Sequence, residues 1–217
     1  GLNGSGKHNN WSMSTNEGEN LLEPGDTPAK NAQFLLFLTA VIKAVDENQD
    51  LLRISVASAG NDHRLGANEA PPAIISMYLG DELQAVLESI KNGTAYDSKR
   101  KQKMKIGVDV LPFIPKDSTD RNRTSPFAFT GNKFEFRSLG SSLSISGPNT
   151  TLNAIVANTL KQFADELEKA KDFENSLHKL IRREITEHWK IIFNGNGYDA
   201  SWVEEAQQRG LLNLKTL

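Results

Sequence analysis

The residues whose types and spacing could do chemistry are concentrated in Asn122–Arg137, which reads NRTSPFAFTGNKFEFR. In its last five residues charged and aromatic side chains alternate, and a β-strand has a side-chain period of two. The two phenylalanines of this strand are therefore predicted to face a core. Lys133, Glu135 and Arg137 are predicted to share the opposite face.

Two interpretations of this charged face remain open. Alternating charges are typical of a half-exposed strand whose polar side is simply solvated. However, Arg121 and Arg123 lie just upstream, and Thr130–Asn132 has the composition of a tight polar turn. Four cationic side chains around one carboxylate indicate an anion site, in which Glu135 is a metal ligand or a positioning acid.

A glycine-rich stretch, GLNGSGKHNNWS, occupies Gly1–Ser12. It approaches the phosphate-loop pattern G-x-x-x-x-G-K-[ST], but His8 stands where that loop needs a hydroxyl to bind magnesium. The residues that follow His8 are also poor at starting a helix. The stretch therefore favours another kind of glycine-rich loop over a nucleoside-triphosphatase phosphate loop.

Three stretches together resemble the sequences of glutamine synthetases, in the form found in the type III branch of that family. They are NGSGKHNNWS at Asn3–Ser12, NDHRLGANEAPP at Asn61–Pro72 and the charged strand with its turn. They occur in the order found in that family, which makes the match specific. The fold implied is α+β, with an antiparallel sheet that bears the active site on its polar face, helices packed behind it and a long C-terminal helical region.

The resemblance also implies roles for individual residues. The substrate glutamate would be contacted by Asn3, Gly4, Arg64 and Arg137. Glu69 would be the flap residue that shields the intermediate and helps to take a proton from ammonium, and Arg123 would stabilise the transferred phosphoryl group. Both are therefore expected to be catalytic.

Metal and nucleotide contacts follow from the same resemblance. His8 and Glu135 match metal ligands, and Asn10, Ser12 and Lys133 fall at positions on the nucleotide side. The cofactors implied are ATP and Mg²⁺ or Mn²⁺. The chain departs from the family at three places, one of which is that most members have one more residue between the arginine and the glutamate matched by Arg64 and Glu69. Asn10 stands where most members have a second histidine, and Ala128 stands where many have an arginine.

The activity implied is an ATP-dependent glutamate–ammonia ligase that makes glutamine through a γ-glutamyl phosphate. Its partners would be glutamate, ammonia, ATP and further copies of the chain in a large ring-shaped homo-oligomer. The alternative is a non-catalytic binding or regulatory module that kept the sheet and lost the chemistry, which Asn10 and Ala128 favour. Retention of the other matched residues favours the enzyme.

Composition sets limits on the class of protein. The 217 residues are 38% hydrophobic and 24% charged, which is ordinary for a globular protein, and a net charge of −2 gives no case for binding nucleic acid or membranes. No cysteine, signal-peptide pattern or apolar run near 18 residues occurs, so we expect a cytoplasmic location. Because the sequence opens at Gly1, inside a motif and without a methionine, we expect a fragment of a longer protein.

Hydrophobic periodicity predicts the elements that must position these residues. The predicted helices are Asn31–Glu47, Gln49–Ala59, Asp81–Asn92, Asn149–Lys171, Phe173 to about Phe193, and a short one opened by a capping box at Ser201–Glu204. Ile106–Val110 is predicted to pair as a strand near the charged strand. The predicted division is 1–147 as the C-terminal part of a catalytic domain and 148–217 as a helical region.

The C-terminal helices carry many charged residues, including Arg183, Glu184 and Glu187, which are predicted to form a solvated face. His178 and His188 are ten positions apart, whereas a helical metal pair needs a spacing near four on one face. We therefore expect packing, and neither catalysis nor a histidine metal pair, in this region.

Overall fold

The computed structural model describes residues 7–56, 58–65, 72–96 and 123–216, with the side chain of residue 7 left undescribed. Its strands are β1 (Lys7–Trp11), β2 (Met77–Tyr78), β3 (Phe127–Phe129) and β4 (Phe134–Ser138). Its α-helices are α1 (Ala32–Glu47), α2 (Gln49–Ile54), α3 (Asp81–Asn92), α4 (Ser146–Leu167), α5 (Phe173–Glu187) and α6 (Ala200–Gln208). Short 3₁₀ helices cover Pro28–Lys30, Asp62–Arg64 and Trp189–Ile191.

The four described strands form one mixed sheet in the order β1-β4-β3-β2. β1, β4 and β3 are antiparallel neighbours, as predicted, but β2 runs parallel to β3. The prediction of a purely antiparallel sheet is therefore wrong at this edge. A parallel pair needs a long crossover, and the connection from Tyr78 to Phe127 is long enough to include α3.

The alternation in β4 is confirmed. Phe134 and Phe136 are buried at 0% and 2% exposure and lie among other aromatic rings. Phe127 and Phe129 of β3 surround Phe134 at ring-centre distances of 5.0 and 5.2 Å. Gly131 closes the turn between β3 and β4 with φ +94°, a conformation that side chains with a Cβ disfavour. The hairpin therefore presents Glu135 and Arg137 on the face opposite the aromatic cluster.

Helix α1 is the central helix of the described core and packs against α4 and α5. The six residues of the apolar face that predicts this helix are all buried: Phe34, Leu35, Leu38, Val41, Ile42 and Val45. Phe34 also reaches the ring of Phe129 at 5.9 Å, which joins the helix to the inner face of the sheet. Helix α3 spans the predicted residues, and Gly93 ends it at φ +67°.

The predicted boundaries of three helices are wrong, including α4, which spans Ser146–Leu167 where Asn149–Lys171 was predicted. Helix α2 ends at Ile54, since Ser58 and Gly60 favour the turn that follows. Helix α5 ends at Glu187 because the chain after it pairs Ile192 with Met77 at the sheet edge, where the Phe193 N–H donates to the Met77 oxygen, instead of continuing the helix.

The predicted capping box of the last helix is also wrong. Ser201 lies inside α6, whose N-cap residue is Asp199. The Asp199 carboxylate accepts a hydrogen bond from the Asn196 side chain at 2.9 Å.

The prediction that Glu184 lies on a solvated face is wrong as well, because this residue is only 3% exposed. It follows Leu180 and Ile181 at the spacings of four and three that place residues on one face of a helix. That face is turned towards α1.

One hydrophobic cluster includes residues from both sides of position 147, among them Phe34, Phe134, Leu152 and Ile185. The division into 1–147 and 148–217 stays a prediction. Among the described helices, none has the length and apolar character needed to cross a membrane. The predicted strand Ile106–Val110 lies outside the described residues.

Candidate functional site

Glu135 is the centre of a polar cluster on the outer face of the sheet. His8 Nδ1 lies 2.8 Å from Glu135 Oε1, and Arg137 Nη2 donates to Glu135 Oε2 at 2.5 Å. The register of β1 and β4 explains the contact, because it pairs His8 with Arg137 and Asn10 with Glu135. Residues that face each other across antiparallel strands point to the same side, so the sheet brings these four side chains together.

Burial makes the interactions in this cluster unequal. The side chains of Glu135 and Arg137 are 16% and 9% exposed, whereas that of His8 is 56% exposed. Arg137 Nη1 also donates to the backbone oxygen of Ser125 at 3.4 Å. Arg137 and Glu135 therefore form a largely desolvated charged pair, and His8 covers it from the solvent side.

Two asparagines of α4, which the sequence did not single out, hold the other face of β1. The Asn9 side chain donates to Asn149 Oδ1 at 3.0 Å, and the Trp11 indole donates to Asn153 Oδ1 at 2.9 Å. Asn9 and Trp11 are two positions apart and therefore lie on one face of the strand. Asn149 and Asn153 are four positions apart and therefore lie on one face of the helix, so the two pairs can meet. Both spacings can be read from the sequence, but they indicate a contact only once the strand and the helix are known to be neighbours.

The predicted nucleotide-side residues lie at the β3–β4 turn end of the site. Ser12 Oγ donates to Asn20 Oδ1 at 2.8 Å and to the backbone oxygen of Asn132 at 3.0 Å. Lys133 follows Asn132 and is exposed, as is Asn10. The structure thus brings Ser12 beside the turn that carries Lys133.

The two remaining described candidates lie at other edges of the site. Arg64 ends the 3₁₀ helix Asp62–Arg64 and lines a cavity of about 300 Å³, together with 139–143, the residues that follow β4. Arg123 is exposed and lies two residues before Ser125, the carbonyl partner of Arg137. Asn3, Gly4 and Glu69 lie outside the described residues.

His8 and Glu135 fit part of a divalent metal site. An imidazole nitrogen and a carboxylate oxygen are ligands that Mn²⁺ accepts, and Mg²⁺ accepts the carboxylate. Their hydrogen-bond distance of 2.8 Å shows that both groups reach the same point in space. Because Arg137 occupies Glu135 Oε2, the Oε1 atom is the one placed to take an ion.

Comparisons with known proteins agree with the motifs. The chain is 56% identical over 99% of its length to the type-3 glutamine synthetase of Dictyostelium discoideum, and it covers 30% of that protein. It is 51% identical over its whole length to a glutamine synthetase of Butyrivibrio fibrisolvens, of which it covers 31%. A third relative, from Bacteroides fragilis, is 46% identical over 99% of the chain.

The family model described as the glutamine synthetase C-terminal domain matches residues 176–217. The chain therefore belongs to the glutamine synthetase family. The relative with 56% identity assigns it to the type-3 branch, as the motifs indicated. The chain spans about 30% of the length of these curated relatives.

Proposed function

We propose that the chain is part of the catalytic domain of a glutamate–ammonia ligase that uses ATP to make glutamine. The observation that carries the proposal is the cluster of His8, Glu135 and Arg137 on one face of the sheet, although the first two are 127 positions apart in the sequence. The relatives that carry the name glutamine synthetase support the same activity.

In the proposed reaction a carboxylate oxygen of glutamate attacks the γ-phosphorus of ATP, and ADP leaves. Ammonia then attacks the acyl carbon of the γ-glutamyl phosphate, and inorganic phosphate leaves. Arg64 and Arg137 would hold glutamate, since a guanidinium fork matches a carboxylate, together with Asn3 and Gly4. Glu69 would accept the proton released by ammonium.

On the phosphate side, Arg123 would meet the charge that develops on the phosphoryl group. Its exposure at the start of the segment leading to β3 leaves the guanidinium accessible. Asn10, Ser12 and Lys133 would border the nucleotide. His8 and Glu135 would contribute two ligands to a Mg²⁺ or Mn²⁺ ion, which supplies charge neutralisation for the phosphates when bound.

Besides its proposed contact with glutamate, Arg137 bonds to Glu135, and this contact supports its assignment to the site. Its bond to Glu135 fixes the carboxylate orientation and leaves Oε1 directed at His8. One guanidinium would thus position a metal ligand and bind substrate at the same time. A lysine, with a compact ammonium in place of the planar fork, could not reproduce both contacts.

The test is Arg137→Lys in the full-length protein that contains this chain, with Arg182→Lys on the exposed side of α5 as the matched control. Charged hydrogen bonds contribute ~1.5–3 kcal/mol each, so the KM for glutamate should rise roughly tenfold or more. The KM for ATP should change less, and the control should change neither. A larger effect on the KM for ATP would contradict the assigned role.

Assembly of the full-length protein into a large ring of identical subunits is also part of the proposal, as is the choice of Mg²⁺ or Mn²⁺. Both rest on the family resemblance. The cytoplasmic location stays a prediction from composition.

A further inference from the structure

A second group of ionisable residues lies far along the chain from the Glu135 cluster, where the C-terminal ends of α1 and α5 meet. Asp46, Glu184 and His188 are 6%, 3% and 4% exposed. One potential ligand atom from each of Glu184, Glu187 and His188 lies within 4.8 Å of the others. Buried ionisable groups are costly unless they are paired, so their arrangement needs a physical account.

His188 is oriented by one carboxylate and faces others. Its Nδ1 atom lies 2.7 Å from Asp46 Oδ2. Its buried Nε2 atom has no hydrogen-bond partner in the described structure and lies 3.4 Å from Glu184 Oε2 and 3.9 Å from Glu47 Oε1. A carboxylate that accepts the Nδ1 proton leaves the Nε2 lone pair free to bind a metal, as metal-binding histidines usually require.

The charges around this histidine are unbalanced. The carboxylates are those of Asp46, Glu47, Glu184 and Glu187. The cations that face them are Lys43, Arg183 and Lys190. Four carboxylates thus face three cations, and one of these cations, Arg183, is shared with Glu166, so acidic groups are in excess here.

The orientation of Glu184 is fixed by two cations. Its Oε1 atom accepts from Arg183 at 2.6 Å, and its Oε2 atom accepts from Lys43 at 3.0 Å. Both carboxylate oxygens of Glu184 are therefore held in fixed positions, with Oε2 on the side of His188.

Helical spacing brings the ligands to one side. Glu184 and His188 are four positions apart on α5 and the turn after it, a spacing that puts two side chains on one helix face. Ligand atoms of a tetrahedral zinc ion, each ~2.0–2.2 Å from the metal, lie roughly 3.4 Å apart. The 3.4 Å between His188 Nε2 and Glu184 Oε2 equals that separation.

We propose that Glu184, Glu187 and His188 form a second, structural metal site, which takes a divalent ion of the Zn²⁺ class. Asp46 is the positioning residue that fixes the imidazole. Lys43 contacts both Glu184 and Glu47, which is 3.1 Å from its ammonium. On metal binding the Lys43 ammonium turns fully to Glu47, and a water completes the coordination. The ion would tie the last turn of α5 to the residue that follows it, and the contact of His188 with Asp46 would connect the site to the end of α1.

The test titrates ZnCl₂ into the chain by calorimetry. All variants also carry His8→Ala, which removes the imidazole beside Glu135. Glu187→Gln is the informative change because Glu187 is exposed and its loss leaves the core intact. Glu204→Gln, on an exposed position of α6, is the matched control. We expect one Zn²⁺ per chain, at least tenfold weaker binding for Glu187→Gln and unchanged binding for the control.

A second measurement identifies the imidazole, because His63 and His178 are other histidines that could bind zinc at the surface. In nitrogen NMR the His188 Nε2 signal should move on addition of Zn²⁺, while the signals of His63 and His178 stay in place. No zinc binding in the His8→Ala chain, equal binding by Glu187→Gln, or an unmoved His188 signal would each overturn the site. None of these results bears on the Glu135 cluster.

Discussion

At the scale of single residues, the Glu135 carboxylate serves two partners of different exposure. One oxygen contacts half-exposed His8 and the other accepts from largely buried Arg137. Hydrogen bonds between charged groups stabilise more when they are shielded from water. The contact with Arg137 should therefore contribute most of the stability of the cluster, and the contact with His8 should contribute little.

Glu135→Gln should lower the free energy of unfolding by about 1.5–3 kcal/mol, because it removes the charge from the pair with Arg137. His8→Ala should cost less than about 1 kcal/mol. Urea unfolding followed by circular dichroism measures both, with Glu17→Gln at an exposed position as the control. Equal costs for Glu135→Gln and His8→Ala would show that burial does not separate the two contacts.

Arg183 makes a pH-dependent link between α4 and α5. Its guanidinium donates to both Glu166 oxygens at 2.9 and 2.8 Å, and these hydrogen bonds hold the pKa of Glu166 below its ordinary value of 4.5. A depressed pKa in the folded state means stability that is present above 4.5 and is lost as pH falls through the folded pKa.

Glu166→Gln should therefore destabilise the chain at pH 7, by no more than about 1 kcal/mol because the pair is exposed. The difference from the unaltered chain should shrink as the pH falls below 4.5. Unfolding free energies measured from pH 7 down to 3 test this. A difference that grows in acid would contradict the assigned link.

Residue-scale prediction from the sequence succeeded for Glu135 and failed for Glu184. Strict alternation fixes the face of Glu135 without any knowledge of its neighbours. Because glutamate is a charged residue, Glu184 is predicted to lie on the solvated face of α5. Its spacing from Leu180 and Ile181, however, puts it on the apolar face. Its burial is possible only because Lys43 and Arg183 reach it, and Lys43 comes from another helix.

At the scale of elements, β1 depends on α4 for its position. The side chains of Asn149 and Asn153 accept hydrogen bonds from Asn9 and Trp11, and these hold one face of the strand. The other face carries His8. An element that contributes to the candidate site is thus anchored by residues that contact none of the predicted ligands.

Replacing both Asn149 and Asn153 with Ala should loosen β1, because each lost hydrogen bond costs about 0.5–1.5 kcal/mol. Backbone amides of β1 should exchange hydrogen faster, while those of α1 exchange at the original rate. Hydrogen exchange with mass spectrometry measures both segments. Asn158→Ala, on an exposed position of the same helix, is the control. Unchanged exchange in β1 would show that the backbone ladder with β4 suffices.

The helices and strands could be predicted where the hydrophobic residues follow a single period. Prediction failed where a contact with a distant part of the chain decides the structure instead. The bounds of α3 were predicted to the residue, and those of α1 to within one, because their apolar faces are complete. The two-residue strand β2 has no period of its own, so its parallel pairing with β3 could not be predicted. The end of α5 depends on bonds to Met77, which lies more than a hundred positions upstream.

At the scale of the whole molecule, the core residues come from most of the described elements, whereas the candidate metal ligands are few. The hydrophobic cluster joins the sheet, α1, α4 and α5 and includes Trp202 from α6. The candidate ligands are far fewer, since His8 and Glu135 are the two residues matched to a metal in the proposed active site. A divalent ion at such a site takes about six ligands, several of them carboxylates. The chain therefore contains a core large enough to fold but only part of the proposed site.

The chain by itself should consequently fold and yet fail to make glutamine. Thermal unfolding should be cooperative, because the core is continuous across the described elements. Assays of glutamine synthesis and of γ-glutamyl transfer should show no turnover with Mg²⁺ or Mn²⁺, since two ligands cannot hold the ion against its water shell. The full-length protein is the positive control, and Glu135→Gln in that protein should remove most of its activity. Normal turnover by the chain alone would mean that the residues present here suffice for catalysis and that the proposed partial site is wrong.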